Sequence, residues 1–236
     1  MSVSDNKTDF EKVCEFNKCF DFPVHDNMND AKCLKLRLDL IKEEIDELIE
    51  AYNINDYIEE QDACADILYV AYGMAYTYKW NSDEYFKDKY FLKTEIETNL
   101  TLFKNLHYPD NVTKEKLIDM LFDIYNDIVQ ATNLKDTEMT LDNLHKLIYH
   151  IYLFQKTASY DSDRIFTIVH ESNMSKLCKT EEEAVQSVNK YLEDYKNGVT
   201  PYDSPYYYKL DNELYVIKNK STGKALKSIN YIKVKL

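Results

Sequence analysis

The chain has 236 residues and carries 42 acidic against 29 basic side chains, which gives a net charge of −13 at pH 7. An apolar fraction of 44% is enough for the core of one large or two small domains. The acidic balance argues against general nucleic-acid binding, which requires a basic surface. Only three glycines and four prolines favour long helices over turn-rich β-structure.

The five cysteines are scattered along the chain and form no CxxC pair. This pattern is typical of reduced thiols, so we expect a cytoplasmic protein. No apolar stretch approaches the length of a membrane span, and we predict no membrane partner.

Helical periodicity organises the first third of the chain. Residues 1–9 are polar and predicted to be disordered, whereas 9–20 carry apolar side chains at helical spacing. Strong amphipathic patterns predict helices over 31–52 and 55–79, with a break at 53–56 between them. A short helix follows, for which Ser82 or Asp83 is the expected N-cap.

Carboxylates concentrate on the two helices that flank the break. Glu44 and Glu47 share one helix face with Glu43 beside them, and Glu59 and Asp62 form a similar pair on the next helix. If the two helices are antiparallel, these side chains face one another. Like charges that pack together repel, and hard oxygen ligands suit Mg²⁺, so the pattern indicates a divalent-cation site. The histidines His25, His107, His145 and His150 lack metal-ligand spacing, and we assign them no role.

The middle of the chain repeats this plan, with helices predicted over 114–131 and 141–157. Shifting the chain by 80 residues places 34–86 on 114–166 without a gap and gives eleven identical pairs, which indicates a duplication. The copies differ at the carboxylates. The positions of Glu44, Glu47, Glu59 and Asp62 are taken in the second copy by Ile124, Asp127, Met139 and Asp142. We therefore expect the second copy to pack as a structural partner without a full metal site.

The last part of the chain changes character. Residues 180–195 form a predicted helix with Thr180 and Glu183 in a capping box, and Gly198 ends it. Beyond it, the pattern predicts three short strands, over 206–208, 215–217 and 229–234. A turn is predicted at 219–223, and the tail is basic.

The pattern EExxE, then ExxD, then DILYVAYG at 66–73 resembles the all-α nucleoside triphosphate pyrophosphohydrolases. These include MazG, the dimeric dUTPases and phosphoribosyl-ATP pyrophosphohydrolase. VHESNMSK at 169–176 and TGKALKS at 222–228 are similar to the phosphoribosyl-ATP pyrophosphohydrolase-like branch of bacteria, phages and large DNA viruses. For a viral protein, the expected compartment would be the host cytoplasm.

The resemblance implies a role for each matching residue. Four carboxylates match the family's Mg²⁺ ligands: Glu44, Glu47, Glu59 and Asp62. Mn²⁺ could substitute for Mg²⁺. Glu43 matches a carboxylate that orients or deprotonates water, so Glu43 and Glu47 are the predicted catalytic residues. Glu60 would replace Glu59 if the second helix were rotated. Asp66, one turn beyond Asp62, is either an outer partner of the site or a helix-face charge.

The resemblance also implies contacts to substrate. Asn173 and Lys176 would contact phosphate or sugar, and Lys224 and Lys227 would lie in a basic hairpin over the triphosphate. The alternatives are a polar loop and a solvated basic strand. Asn17 would meet the base, unless its phenylalanine neighbours simply belong to the core.

We predict an all-α, MazG-like helical bundle formed by internal duplication, with a small C-terminal β-hairpin. The expected divisions are a disordered segment at 1–9, a catalytic repeat at 10–90, a degenerate repeat at 91–166 and a phosphate-contacting tail at 167–236. The expected function is Mg²⁺-dependent hydrolysis of a (deoxy)nucleoside triphosphate to monophosphate and pyrophosphate. The alternatives are phosphoribosyl-ATP as substrate and a non-catalytic nucleotide-binding regulator. The chain would be a monomeric pseudo-dimer or a homodimer.

Overall fold

The structure is a computed structural model, and it describes residues 7–89 and 112–236. These ranges contain eight helices and one two-stranded antiparallel sheet, so the predicted all-α class with a C-terminal hairpin is confirmed. The elements are α1 Asp9–Cys19, α2 Ala31–Ile54, α3 Tyr57–Thr77, α4 Ser82–Lys89, α5 Lys114–Asn133, α6 Thr137–Thr157, α7 Ser162–Met174, α8 Glu181–Lys196, β1 Pro205–Lys209 and β2 Tyr215–Asn219. None of these helices is long and apolar enough to cross a membrane.

The chain forms two compact units. The described part of the first comprises 7–17, 23–89 and 112–167 with Leu236, and the second comprises 18–22 and 168–235. Helices α2 to α6 lie wholly in the first unit, whereas α8 and both strands lie wholly in the second.

Ordered structure begins closer to the N-terminus than the polar composition of residues 1–9 predicted. Thr8 Oγ1 donates a hydrogen bond to Asp83 Oδ2 at 2.7 Å, and Asp9 opens α1 with only 2% of its surface exposed. The prediction of disorder is therefore corrected for residues 7–9, and residues 1–6 lie outside the described residues. Specific hydrogen bonds outweigh composition at this end of the chain.

Capping residues define the hairpin of α2 and α3. Asp30 accepts hydrogen bonds from the backbone N–H groups of Lys32 and Cys33 at the start of α2. Asn55, in the left-handed region at φ 57°, ends α2, and Asp56 caps α3 at the next position. Two helices joined by so short a link must lie antiparallel. The predicted break is confirmed, and it places the carboxylates of the two helices along a common face.

The hairpin of α5 and α6 repeats these local features at a spacing of 80 residues. Lys135 adopts φ 56° where the first repeat has Asn55, and Asp136 caps α6 as Asp56 caps α3. The residues that follow α3 and α6, Lys79 and Ser159, both have φ 59°. Turns that repeat in this way support the duplication inferred from sequence identities.

The two hairpins pack through equivalent helices, with α3 against α6 and α2 against α5. At the centre of this packing, the hydroxyl oxygens of Tyr72 and Tyr152, which are equivalent residues, lie 3.2 Å apart. Contact between equivalent residues is the mark of an isologous interface about a twofold axis. Tyr152 donates onward to Asp9 Oδ2 at 2.7 Å, which satisfies the buried hydroxyl pair. The first unit is therefore a pseudo-dimer within one chain.

Three local predictions are wrong for identifiable reasons. Helix α6 begins at Thr137, four residues before the predicted start, because Asp136 caps it there. The cap of α4 is Asn81, whose Oδ1 accepts a hydrogen bond from the Glu84 N–H. Residues 229–234 form no strand, since their backbone donors bond to side chains instead, as Ile232 does to Ser175 Oγ at 2.9 Å.

The second unit packs α8 against the hairpin of β1 and β2. Thr180 Oγ1 accepts from the Glu183 N–H, as the capping box predicts, while Glu183 Oε2 accepts from the Lys179 N–H. Strand residues pair antiparallel from Pro205 with Asn219 to Lys209 with Tyr215. The buried apolar centre of this unit includes Cys178, Ala184, Ile217 and Leu226.

Candidate active site

Carboxylates of α2 and α3 lie close enough to perturb one another's ionisation. Burial is the largest influence on Glu44, and the charges of Asp66, Glu47, Glu43 and Asp62 add to it, raising the pKa of Glu44 to about 8. A group whose strongest charged neighbours are four carboxylates lies in a strongly negative environment. The predicted meeting of the two carboxylate faces is therefore found in the structure.

Glu47 joins this cluster to Glu59. Burial again raises the pKa of Glu47, followed by the charges of Glu59 and Glu43, while a hydrogen bond with Glu44 opposes the rise. Glu44 and Glu47 thus act on each other's ionisation across one turn of α2. We call the six residues Glu43, Glu44, Glu47, Glu59, Asp62 and Asp66 the acidic cluster.

The acidic cluster lies at the edge between core and solvent. Glu43, Glu47 and Glu59 are exposed, whereas Glu44, Asp62 and Asp66 are partly buried. Glu43 and Glu47 also line an open surface concavity along α2. A ligand in solution can therefore reach the cluster while its inner carboxylates remain shielded from water.

Glu60 points away from the acidic cluster. It is only 1% exposed, and its carboxylate accepts hydrogen bonds from Lys114 Nζ and from the Tyr160 hydroxyl, both at 2.5 Å. The neighbouring Glu59 is exposed instead, and its charge helps to raise the pKa of Glu47 on α2 after the larger effect of burial. The geometry therefore favours Glu59 over Glu60 as a member of the site.

At three of the six positions of the acidic cluster, the second repeat carries residues that take part in ion pairs. Its residue at the position of Asp66 is Lys146, whose Nζ lies 3.2 Å from Asp127 Oδ2. Asp142 accepts hydrogen bonds from Lys89 Nζ at 2.9 Å and from the Tyr85 hydroxyl at 2.6 Å. Burial alone would raise the pKa of Asp142, but the bonds from Tyr85 and Lys89 outweigh it, and the pKa is lowered.

Of the three remaining positions, the counterpart of Glu43 keeps an exposed carboxylate, that of Asp123, whereas the other two carry no charge. Ile124 replaces Glu44 and is 1% exposed, so it extends the core, and Met139 replaces Glu59. The same backbone therefore supports a concentrated negative site in the first repeat and positions that are mostly apolar or ion-paired in the second. The fold does not require the acidic cluster.

The acidic cluster offers suitable donors for Mg²⁺, because carboxylate oxygens are the hard ligands that this ion prefers. Burial first, and then the charges of the neighbouring carboxylates, raise the pKa of Glu44, and a cation would relieve the repulsion between those charges. Within residues 7–89 and 112–236, no three His, Cys, Asp or Glu side chains already stand in the geometry of a metal site. The donor chemistry fits, and closing around an ion would require side-chain rotation.

Four of the predicted substrate-binding residues belong to the second unit. Lys176 Nζ donates to Asn173 Oδ1 at 2.5 Å, so these two residues are neighbours as expected. The Lys176 carbonyl accepts from the Ser228 N–H at 3.2 Å, which brings the segment of Lys227 beside it. Lys224 and Lys227 are exposed, with Nζ atoms over the rings of Tyr202 and Tyr231 respectively. Their role toward substrate stays a prediction.

Asn17, the fifth predicted substrate contact, is 3% exposed, and its amide donates to the Val13 carbonyl at 2.7 Å. Phe16 and Phe20 beside it are core residues. His145 and His150 are buried, and each bonds a backbone carbonyl, that of Leu141 and Leu117 respectively. They therefore have structural roles, whereas His107 lies outside the described residues.

The sequence pattern underrated two features of the first repeat. Asp66 is the strongest charged influence on Glu44, and its spacing of four residues from Asp62 was the available signal. Arg37, seven residues before Glu44 on the same helix face, carried no recognised motif. Its side chain proves to be partly buried, with Nη1 against Gly73 of α3.

Two comparisons with known proteins bear on this site. The family model described as phosphoribosyl-ATP pyrophosphohydrolase matches residues 13–89, which contain the whole acidic cluster. The chain is 34% identical to the uncharacterized protein L479 of Acanthamoeba polyphaga mimivirus, over 95% of this chain and 92% of the relative. No solved structure matches the chain.

Proposed function

Because the chain belongs to the phosphoribosyl-ATP pyrophosphohydrolase family, within the MazG-like superfamily of pyrophosphohydrolases, we propose that it hydrolyses a nucleoside triphosphate to monophosphate and pyrophosphate with Mg²⁺. Such an activity would clear unwanted nucleotides from the precursor pool. One chain would contain one active centre, formed by the first repeat. The monomeric pseudo-dimer and a homodimer of such chains are both compatible with it.

The contrast between the two repeats carries this proposal. In the second repeat, Asp127 and Asp142 are each neutralised by a lysine that the chain itself supplies. In the first repeat, carboxylates are the strongest charged influences on Glu44 and Glu47. Retaining such mutual repulsion costs stability, which is the usual sign of a functional site.

The proposed ligands of Mg²⁺ are Glu44, Glu47, Glu59 and Asp62. When bound, the ion would neutralise phosphate charge and make a coordinated water more acidic. Asp66 would orient the ligand carboxylates, since its charge acts most strongly on Glu44.

The chain's own groups would perform the remaining chemistry. Glu43 is exposed at the outer edge of the cluster, where its carboxylate can take the proton of a water that attacks the α-phosphorus. Attack forms the new P–O bond of the monophosphate, and the bond to the β-phosphate oxygen breaks to release pyrophosphate. That Lys176, Lys224 and Lys227 contact the phosphate chain stays a prediction.

Phosphoribosyl-ATP is the second candidate substrate, favoured by the description of the matching family model. A nucleoside triphosphate ranks higher, because an enzyme dedicated to that intermediate requires neither the second repeat nor the long basic tail. A non-catalytic nucleotide-binding regulator ranks third, since the second repeat demonstrates that the helices persist without the acidic cluster.

A pyrophosphate-release assay separates these three functions. The full-length protein is incubated with each standard ribo- and deoxyribonucleoside triphosphate and with phosphoribosyl-ATP, in Mg²⁺ and in EDTA. We expect Mg²⁺-dependent release from at least one triphosphate. Release from phosphoribosyl-ATP alone would select the second candidate. Nucleotide binding without release from any substrate would select the regulator and refute the proposal.

A further inference from the structure

Three buried polar atoms lie close together at the C-terminal end of α3, and none has a hydrogen-bond partner among the described residues: His25 Nε2, Arg37 Nε and Tyr78 Oη. Tyr78 as a whole is only 4% exposed. Buried polar groups in native proteins are almost always satisfied, so three orphans in one place require an explanation. Water or a ligand must supply what the chain does not.

The three side chains are neighbours. The backbone N–H of His25 donates to the Thr77 carbonyl at 2.7 Å. The centroid of the His25 ring lies 6.4 Å from that of the Tyr78 ring. Arg37 reaches the same region from α2, and Tyr78 is among the charged or polar groups that act on its guanidinium. The Cys33 thiol lies beside both Arg37 and Tyr78, but a thiol is a weak partner and leaves both atoms unsatisfied.

Gly73 makes room for the guanidinium. A Cβ atom at this position would lie 3.2 Å from Arg37 Nη1, closer than ordinary packing allows. The glycine has helical geometry in the interior of α3, where glycine weakens a helix relative to alanine. The close approach of Arg37 therefore explains its presence.

The charges around Arg37 favour a negative ligand. The groups that act on it most strongly are Cys33, Tyr78 and Tyr76, and no carboxylate is among them. Two carboxylates of the region are committed elsewhere: Asp26 accepts from Lys79 Nζ at 2.6 Å, and Asp30 caps α2. A partly buried guanidinium keeps its charge and offers a fork of donors that matches phosphate oxygens.

We propose that Arg37, Tyr78 and His25 form a binding site for phosphate groups, and that it holds the phosphate chain of the substrate. Arg37 Nε–H and the Tyr78 hydroxyl can both donate to phosphate oxygens, and His25 can add a third donor. The assignment to substrate rests on the function proposed above.

Position along the hairpin supports that assignment. Arg37 and Glu44 are seven residues apart on one face of α2, and Gly73 and Asp66 have the same relation on α3. A separation of seven residues is about 10 Å along a helix axis. Arg37 and Gly73 therefore lie about two helical turns from the acidic cluster along one face of the hairpin. The second repeat lacks both features, because Leu117, Leu153 and Ala158 replace Arg37, Gly73 and Tyr78.

Direct binding of pyrophosphate to the full-length protein, measured by titration calorimetry in EDTA and in Mg²⁺, tests the site. Arg37→Leu introduces the residue of the second repeat and should weaken binding about 10- to 100-fold. Tyr78→Phe removes one hydroxyl and should weaken it about 2- to 10-fold without lowering the melting temperature of the unliganded protein. Tyr208→Phe is the matched control, because Tyr208 also has a buried hydroxyl without a partner among the described residues.

Wild-type pyrophosphate affinity in both Arg37→Leu and Tyr78→Phe would overturn the proposal and leave ordered water as the partner of these atoms. Competition between inorganic phosphate and nucleotide, lost in Arg37→Leu, would identify the phosphate chain of the substrate as the ligand. Simultaneous binding of both would retain the phosphate site but assign it to free phosphate. Absence of hydrolysis in the wild-type protein would refute the proposed function alone, since pyrophosphate binding and its loss in the variants would remain measurable.

Discussion

Replacing Lys114 with methionine tests how the first turn of α3 is fixed. Lys114 Nζ forms an ion pair with the buried Glu60 at 2.5 Å, and the Tyr160 hydroxyl donates to the same carboxylate. Aromatic rings surround the ammonium group, with the centroid of Phe154 at 5.2 Å and that of Tyr52 at 5.3 Å. In Lys114→Met, the Glu60 carboxylate would stay buried without its counter-ion.

The expected cost follows from the burial of the two partners. Glu60 has 1% of its side chain exposed and Lys114 has 23%, so removing the lysine leaves the more buried charge uncompensated. Breaking a buried ion pair in this way costs about 3–5 kcal/mol, which lowers the melting temperature of a chain of this size by about 6–20 °C. Glu60→Leu should cost less, because Lys114 can still reach solvent. The double variant should recover most of the loss.

Urea denaturation of the wild type, both single variants and the double variant measures the coupling energy directly. We expect at least about 2 kcal/mol of coupling between Lys114 and Glu60. Lys89→Met is the control, since Lys89 and Asp142 are 48% and 44% exposed and such a pair contributes about 1 kcal/mol or less. If Lys114→Met costs no more than Lys89→Met, the buried ion pair does not stabilise α3 as described.

The buried His145 and the partly buried Asp83 should give opposite pH dependences of stability. Burial lowers the pKa of His145 to about 4, so unfolding becomes easier as pH falls from about 6.5 to 4, by up to about 3 kcal/mol. His145→Gln should lose this slope in urea denaturation series; an unchanged slope would contradict the burial of a neutral imidazole. Burial raises the pKa of Asp83 to about 6, although the hydrogen bond from Thr8 opposes the rise. The free energy of unfolding therefore falls as pH rises from about 4 to 6, by at most about 3 kcal/mol. Asp83→Asn should be more stable than the wild type above pH 6 but not below pH 4, and equal stability at both pH values would refute this assignment.

Local signals predicted the helical hairpins well. Asp56 and Asp136 mark the starts of α3 and α6, and the short breaks before them force the helices to lie antiparallel. The carboxylate faces met as expected because helical spacing fixes which side chains share a face. Prediction failed at 229–234, where the alternation of apolar residues indicated a strand. Hydroxyl groups distant in sequence, such as Ser175 Oγ, bind those backbone donors instead.

Features that depend on tertiary contact could not be read from the pattern. Glu60 is one of two adjacent glutamates, and only the position of Lys114, 54 residues away, makes it structural and leaves Glu59 for the acidic cluster. The orphan atoms of Arg37 and Tyr78 are recognisable only once α2 and α3 are packed. The duplication was the more informative signal, because it exposed which carboxylates the helices can lose.

The most direct test of the account compares Asp62→Asn with Asp142→Asn, the same change at equivalent positions of the two repeats. The measurement is kcat for pyrophosphate release in saturating Mg²⁺ with the best substrate, at a temperature where both variants are folded. We predict a loss of about 100-fold or more in Asp62→Asn and a kcat within about threefold of wild type in Asp142→Asn, whose carboxylate is held by Lys89 and Tyr85. Equal losses in the two variants, or full activity in Asp62→Asn, would contradict the assignment of the chemistry to the acidic cluster.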